Sequence, residues 1–176
     1  ALPILATTRR ASGARTRAGS GKIGVLGALH AFTAIKGPRG YNIESLTVAP
    51  THDATLSRMT IVTVGTERVV EQITKQLNKL IEVVRLTDLS EVAFIEREIM
   101  LVKVRAVEAG REELKRMTDI FRGRILDVTE SSYVIELTGD DHKLGAFLDA
   151  IGRDNIIEVV RSGATGVARG DKALRA

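Results

Sequence analysis

The side chains able to do chemistry in this sequence are few and scattered. Its three histidines, His30, His52 and His142, lie far apart, and none has a carboxylate three or four residues away on a shared face. A metal site needs such convergence, so the pattern predicts surface and cap residues, with His142 inside the helix start Asp140-Asp141-His142. There is no cysteine, which removes thiolate metal sites, disulfides and cysteine nucleophiles. Glu96, Glu98 and the pair Glu112-Glu113 read as solvated charges on linker and helix surfaces. The chain holds no Walker A, G-x-G-x-x-G or G-x-S-x-G run. Gly24 and Gly27, near the start of a possible helix, are a weak phosphate signal. Arg39-Gly40-Tyr41-Asn42 has the residue types of an acylphosphatase-like cradle without its spacing. What remains is Asn42, in the stretch GYNIES. An amide is poor inside a ladder but useful at the mouth of a strand, where it both donates and accepts. Asn42 reads either as a turn residue or as a clamp for a small ligand at an edge between two copies of a domain.

Composition narrows the classes. The chain has 176 residues, 44% hydrophobic and 27% charged, the range of a soluble globular protein of one domain or two small ones. No apolar run approaches the roughly 18 residues of a membrane helix, so no membrane partner is expected. Aromatic residues are 3%, too few for base-stacking platforms. The formal charge of +4 is uneven: residues 1–40 hold seven basic side chains and no acid, leaving 19 basic against 22 acidic residues in the rest. That mildly acidic body predicts no nucleic-acid partner.

From Tyr41 the pattern is regular. YNIESLTVAP reads as a strand ending at Pro50. LSRMTIVTV alternates, with Arg58, Thr60, Val62 and Val64 on one face and Met59, Ile61 and Thr63 on the other. ERVVEQITKQLNKL places Val69, Val70, Ile73, Leu77 and Leu80 at helical spacing, with Thr66 as N-cap. The strand IEVVR, Ile81–Arg85, closes this set. After the polar bridge DLSEVAFIER, EIMLVKVRAV is a strand and REELKRMTDIF a helix with Leu114, Met117, Ile120 and Phe121 inward, followed by Gly123 as C′ residue. RILDVT and YVIELT form a hairpin. DDHKLGAFLDAIG is a helix with Asp140 as N-cap and Gly152 as C′, and IEVVR recurs at Ile157–Arg161.

The second half thus reads β-α-β-β-α-β, the split arrangement of ferredoxin-like folds, and the first half matches its last four elements. The fold class is α+β, as two tandem ferredoxin-like βαββαβ units. The repeated IEVVR is read as core chemistry of each final strand, shared architecture rather than a shared site. With helices on one face, the other face of each sheet must meet another copy, another domain or a ligand.

RGYNIESLTVAPT, SRMTIVTV, EQITKQLNKLIEVV and EREIMLVKV resemble the small regulatory subunit of acetolactate synthase (acetohydroxyacid synthase), near-continuously from Arg39 to about Gly170. The resemblance implies an N-terminal ACT domain, a C-terminal ferredoxin-like domain and no catalysis in this chain. It implies a catalytic large subunit as partner, with thiamine diphosphate, magnesium and FAD bound there and no cofactor here. It implies activation of that partner in branched-chain amino acid synthesis and feedback inhibition by valine held between two side-by-side ACT domains of a homodimer. Asn42 and Ile43 match the strand-start half of that effector site, and an ungapped count puts Gly27 on the glycine of the other half. Gly24 stands where that half should have an asparagine, its acidic neighbour is missing, and no clear strand precedes. The alternative is a stand-alone amino-acid-sensing ACT module acting on another target.

The expected organisation is a disordered or aberrant extension over 1–21, an ACT domain over 22–90 with its first strand and helix atypical up to residue 40, a linker over 91–98, the C-terminal domain over 99–163 and a flexible tail over 164–176. Residues 1–40 have three open readings: a transit peptide, a disordered tail, or a sequence that is not native there. The abrupt change at Arg39 fits a shifted reading frame or a wrong upstream join best. If it stands as written, the first strand and helix of the ACT unit are compromised. A cytoplasmic location is expected, organellar if the segment is a transit peptide.

Overall fold

The computed structural model describes residues 2–9, 42–53, 55–81, 83–108 and 110–174. They fall into two compact units, one of Ala1–Ile95 with Ala164–Ala176, the other of Glu96–Gly163.

The first unit is a sheet in the order β2-β3-β1-β4, built from β1 (Leu2–Arg9), β2 (Asn42–Pro50), β3 (Leu56–Val64) and β4 (Val83–Asp88), with α1 (Glu67–Leu77) between β3 and β4. All pairings are antiparallel. The alternation of LSRMTIVTV decides the layers as expected. Met59 and Ile61 pack with Val70, Ile73 and Leu77 of α1, and all but Val70 are fully buried. Thr66 occupies the cap position of α1, but its side chain makes no cap hydrogen bond.

Leu2–Arg9 corrects the expected extension over 1–21 and the expectation that no strand precedes Asn42. β1 sits between β3 and β4 and bonds to both. Its Ile4 and Ala6 are fully buried in the same core as Met59 and Ile61. Without β1, β3 and β4 would expose facing rows of backbone donors and acceptors, which is costly in a packed sheet.

The second unit has the order β6-β7-β5-β8: β5 (Phe94–Arg105), β6 (Arg124–Val128), β7 (Ser132–Gly139) and β8 (Ile156–Arg161), with α2 (Gly110–Ile120) and α3 (Asp141–Ile151). Met100, Val102 and Val104 of β5 alternate into a core with Tyr133, Ile135 and Leu137 of β7 and Leu144 and Phe147 of α3. Asp140 caps α3 as expected, accepting from Lys143 N at 2.9 Å. The linker expected over 91–98 is shortened, because Phe94–Glu98 already belong to β5. The tail expected over 164–176 belongs to the first unit and contains a further strand, β9 (Thr165–Ala168). Just beyond it, Arg169 N–H donates to the Ala93 carbonyl at 2.8 Å.

Two local expectations change. Ile120 is 63% exposed, and the buried residue of the last turn of α2 is Thr118, whose hydroxyl donates to the Leu114 carbonyl at 2.7 Å. Arg122, not Gly123, takes the left-handed conformation after α2 (φ 55°). Gly123 is needed for space instead, since a Cβ there would lie 2.7 Å from Leu137 Cδ1.

The repeated IEVVR is core chemistry only in part: Val83 and Val84 of the first copy are half-buried. In the first copy Ile81 lies outside the strand and is 93% exposed. In the second, Ile157, Val159 and Val160 are all exposed. Both copies sit on the last strand in the sheet order, β4 and β8. An edge strand lacks a neighbour on one side, and an apolar run there does not imply burial.

Candidate functional site

Asn42 begins β2 at the mouth of the first sheet. Register puts Asn42 opposite Val64 and Ile43 opposite Thr63. The Thr63 side chain, fully buried, donates its hydroxyl proton to the Asn42 carbonyl at 2.8 Å. That bond fixes the backbone of the strand start and leaves the Asn42 side chain exposed. Ile43 is half-buried and packs on the core of the unit. The register then shifts between Ile43 and Ser45, so Glu44 is the extra residue of a bulge. Bulges bend a strand and re-aim side chains, and they gather at sites.

The opposite strand turns at once into a helix. Val64 ends β3, and Gly65 and Thr66 lead into α1. A Cβ on Gly65 would come within 2.8 Å of Val69, so only glycine lets the turn fold this tightly against the first turn of the helix. The strand mouth thus presents an amide side chain, which donates and accepts, beside a half-buried isoleucine. It offers polar recognition and an apolar contact. Gly27, the third expected site residue, lies outside the described residues.

Comparison with known proteins bears on what such a site serves. The family description "Small subunit of acetolactate synthase" matches residues 97–170. "AHAS small subunit-like ACT domain" matches residues 22–85. The acetolactate synthase isozyme 3 small subunit of Escherichia coli (strain K12) is 58% identical over 151 residues, 85% of this chain and 92% of that one. The chain belongs to the acetolactate synthase small-subunit family. The acetolactate synthase small subunit of Haemophilus influenzae is 53% identical over 149 residues, 84% of this chain and 91% of that one. The crystal structure of the acetolactate synthase small subunit from Thermotoga maritima superposes with a TM-score of 0.79 at 30% identity, covering 97% of this chain and 98% of that one. As in the sequence reading, the acetolactate synthase small-subunit fold here is α+β, an ACT domain and a ferredoxin-like domain.

Away from Asn42, charged groups of this small subunit that lie in its second unit form an ion-pair cluster. No cluster of metal-ligating side chains occurs among the described residues, and none of their helices is long and apolar enough to cross a membrane. Glu98 departs from its reading as a solvated charge. It is 8% exposed and accepts from Arg161 Nη2 at 2.5 Å and from Gly163 N at 2.9 Å. Arg161 also reaches Asp141 at 2.8 Å. Burial works against the Arg161 charge, but the bonds to Glu98 and Asp141 outweigh it and raise its pKa. This pair was invisible in sequence because 63 residues separate its members.

Glu96, on the same strand, is left with like charges. Burial first, then Asp140, Asp141 and Glu98, push its pKa above the ordinary value of 4.5. A carboxyl whose folded pKa is raised is penalised once pH climbs past that value, because the folded state then holds a charge it disfavours. Glu96→Gln is therefore expected to raise the thermal midpoint at neutral pH and to leave it unchanged below pH 4, where Glu96 is protonated in both states. Melting curves of the two proteins at pH 7 and below pH 4 check the sign. Since Glu96 is only half-buried, screening keeps the gain small.

Proposed function

We propose that this chain is the non-catalytic regulatory subunit of an acetolactate synthase, acting on a catalytic large subunit through a branched-chain amino acid, valine, held at the Asn42 strand mouth between the ACT domains of two copies. The observation that carries this reading is the pinned start of β2. Thr63 holds the Asn42 backbone, the amide side chain stands exposed, and a bulge at Glu44 follows at once. An asparagine amide complements both ends of an amino acid's polar group, donating to a carboxylate and accepting from an ammonium. Ile43 adds a contact for a branched aliphatic side chain. The relatives are named small subunits of acetolactate synthase, which supports a larger catalytic partner. Thiamine diphosphate, magnesium and FAD belong to that partner, and this chain raises its activity.

Regulation is then linkage. Valine binds one arrangement of the complex better than the other and shifts the population by its difference in affinity, typically about 1–3 kcal/mol. Titration calorimetry of the chain with valine, leucine and isoleucine tests the site. Valine is expected to bind most tightly. Asn42→Ala is expected to weaken it by roughly tenfold to a hundredfold, the value of hydrogen bonds to charged groups. The unfolding midpoint should hardly move, because the side chain is exposed. Unchanged valine affinity in Asn42→Ala would remove this residue from the site.

A further inference from the structure

The face of the first sheet turned away from α1 carries a row of residues set by register. Arg58 of β3 stands opposite Thr7 of β1, and Thr7 opposite Arg85 of β4. Directly opposed residues share a face, so two arginines flank Thr7. The stretch 164–174 returns to this face, where Arg58 Nη2 donates to the Leu174 carbonyl at 2.9 Å. A cavity of about 260 Å³ lies there, lined by Arg58, Arg85 and Lys172 together with Leu89, Val92 and Val167. Three cationic side chains and no carboxylate are among its described lining residues.

Two buried donors on this row have no hydrogen-bond partner, Arg58 Nε and Thr7 Oγ1. Folded proteins keep few such groups, because each forfeits the water it gave up. Burial also lowers the Arg58 pKa from its usual value, so the site gains from a negative charge brought to it.

We propose that this cavity binds a small aliphatic carboxylate, distinct from the amino acid at Asn42. The partnerless Arg58 Nε, with Lys172 on the same lining, calls for an anion. The apolar walls call for a short alkyl chain, and the volume lies below that of sites for drug-sized ligands. A zwitterionic amino acid suits it less, because no lining carboxylate meets its ammonium group. Asn42 pairs with Val64, six residues along β3 from Arg58, about 20 Å away at strand rise. The two sites are therefore separable by mutation.

The test is titration calorimetry of the full chain with 3-methylbutanoate and with inorganic phosphate. Arg85 and Lys172 are exposed, so Arg85→Gln and Lys172→Gln should fold. Saturable binding of 3-methylbutanoate is expected, weakened about tenfold in each charge variant and unchanged in Asn42→Ala. Absence of saturable binding, an affinity indifferent to both charge variants, or phosphate binding at least as tightly as the carboxylate would each overturn the proposal.

Discussion

Leu77→Asp is expected to unfold the first unit. Leu77 is fully buried at the end of α1 and packs with Ile4, Met59 and Ile73. An aspartate there loses the leucine's burial and leaves a carboxylate with no partner in an apolar core, a combination costing roughly 4–5 kcal/mol or more. Small domains have about 5–15 kcal/mol in total, and units of this size lie near the lower end. The cost therefore consumes most or all of the stability. Circular dichroism and denaturant titration should show loss of about half the cooperative signal, and valine binding should disappear with it. A protein that melts like the parent would show that α1 does not hold this sheet.

Phe147→Ala is the corresponding test of the second unit. Phe147 is the largest fully buried side chain among the described residues and meets Phe121 edge-on, with ring centroids 5.3 Å apart and planes at 69°. Truncating a buried phenylalanine costs about 3–5 kcal/mol, of which the aromatic pairing accounts for about 0.5–1.5. The midpoint of the second transition in denaturant should fall by the matching amount. Affinity for valine should stay, since Asn42 lies in the other unit. A loss below about 1 kcal/mol would contradict the placement of Phe147 at the centre of the core.

What the sequence revealed follows from where its patterns are dense. LSRMTIVTV alternates over nine residues, and β3 runs over the same nine, Leu56–Val64. Asp140 and Gly152 bracket α3 because a cap and a C-terminal glycine are local signals. β1 is hard to read in sequence because its core-facing Ile4 and Ala6 lie at the start of an arginine-bearing stretch without acids, whose composition resembles an extension. β9 was missed because four residues, Thr165–Ala168, are too short for a period. The exposure of Val160 was missed because alternation shows which residues share a face and not whether the strand has a neighbour on both sides. At the site, Asn42 was legible as an amide in a strand mouth. The Thr63 bond that pins it depends on pairing 21 residues apart and was not.

The most direct test of the account is the activity of the catalytic acetolactate synthase subunit, assayed with and without this chain over a range of valine. The chain is expected to raise activity and valine then to lower it saturably, with the inhibition shifted to higher valine in Asn42→Ala while activation is retained. A folded chain that leaves both the activity and its response to valine unchanged would contradict the account.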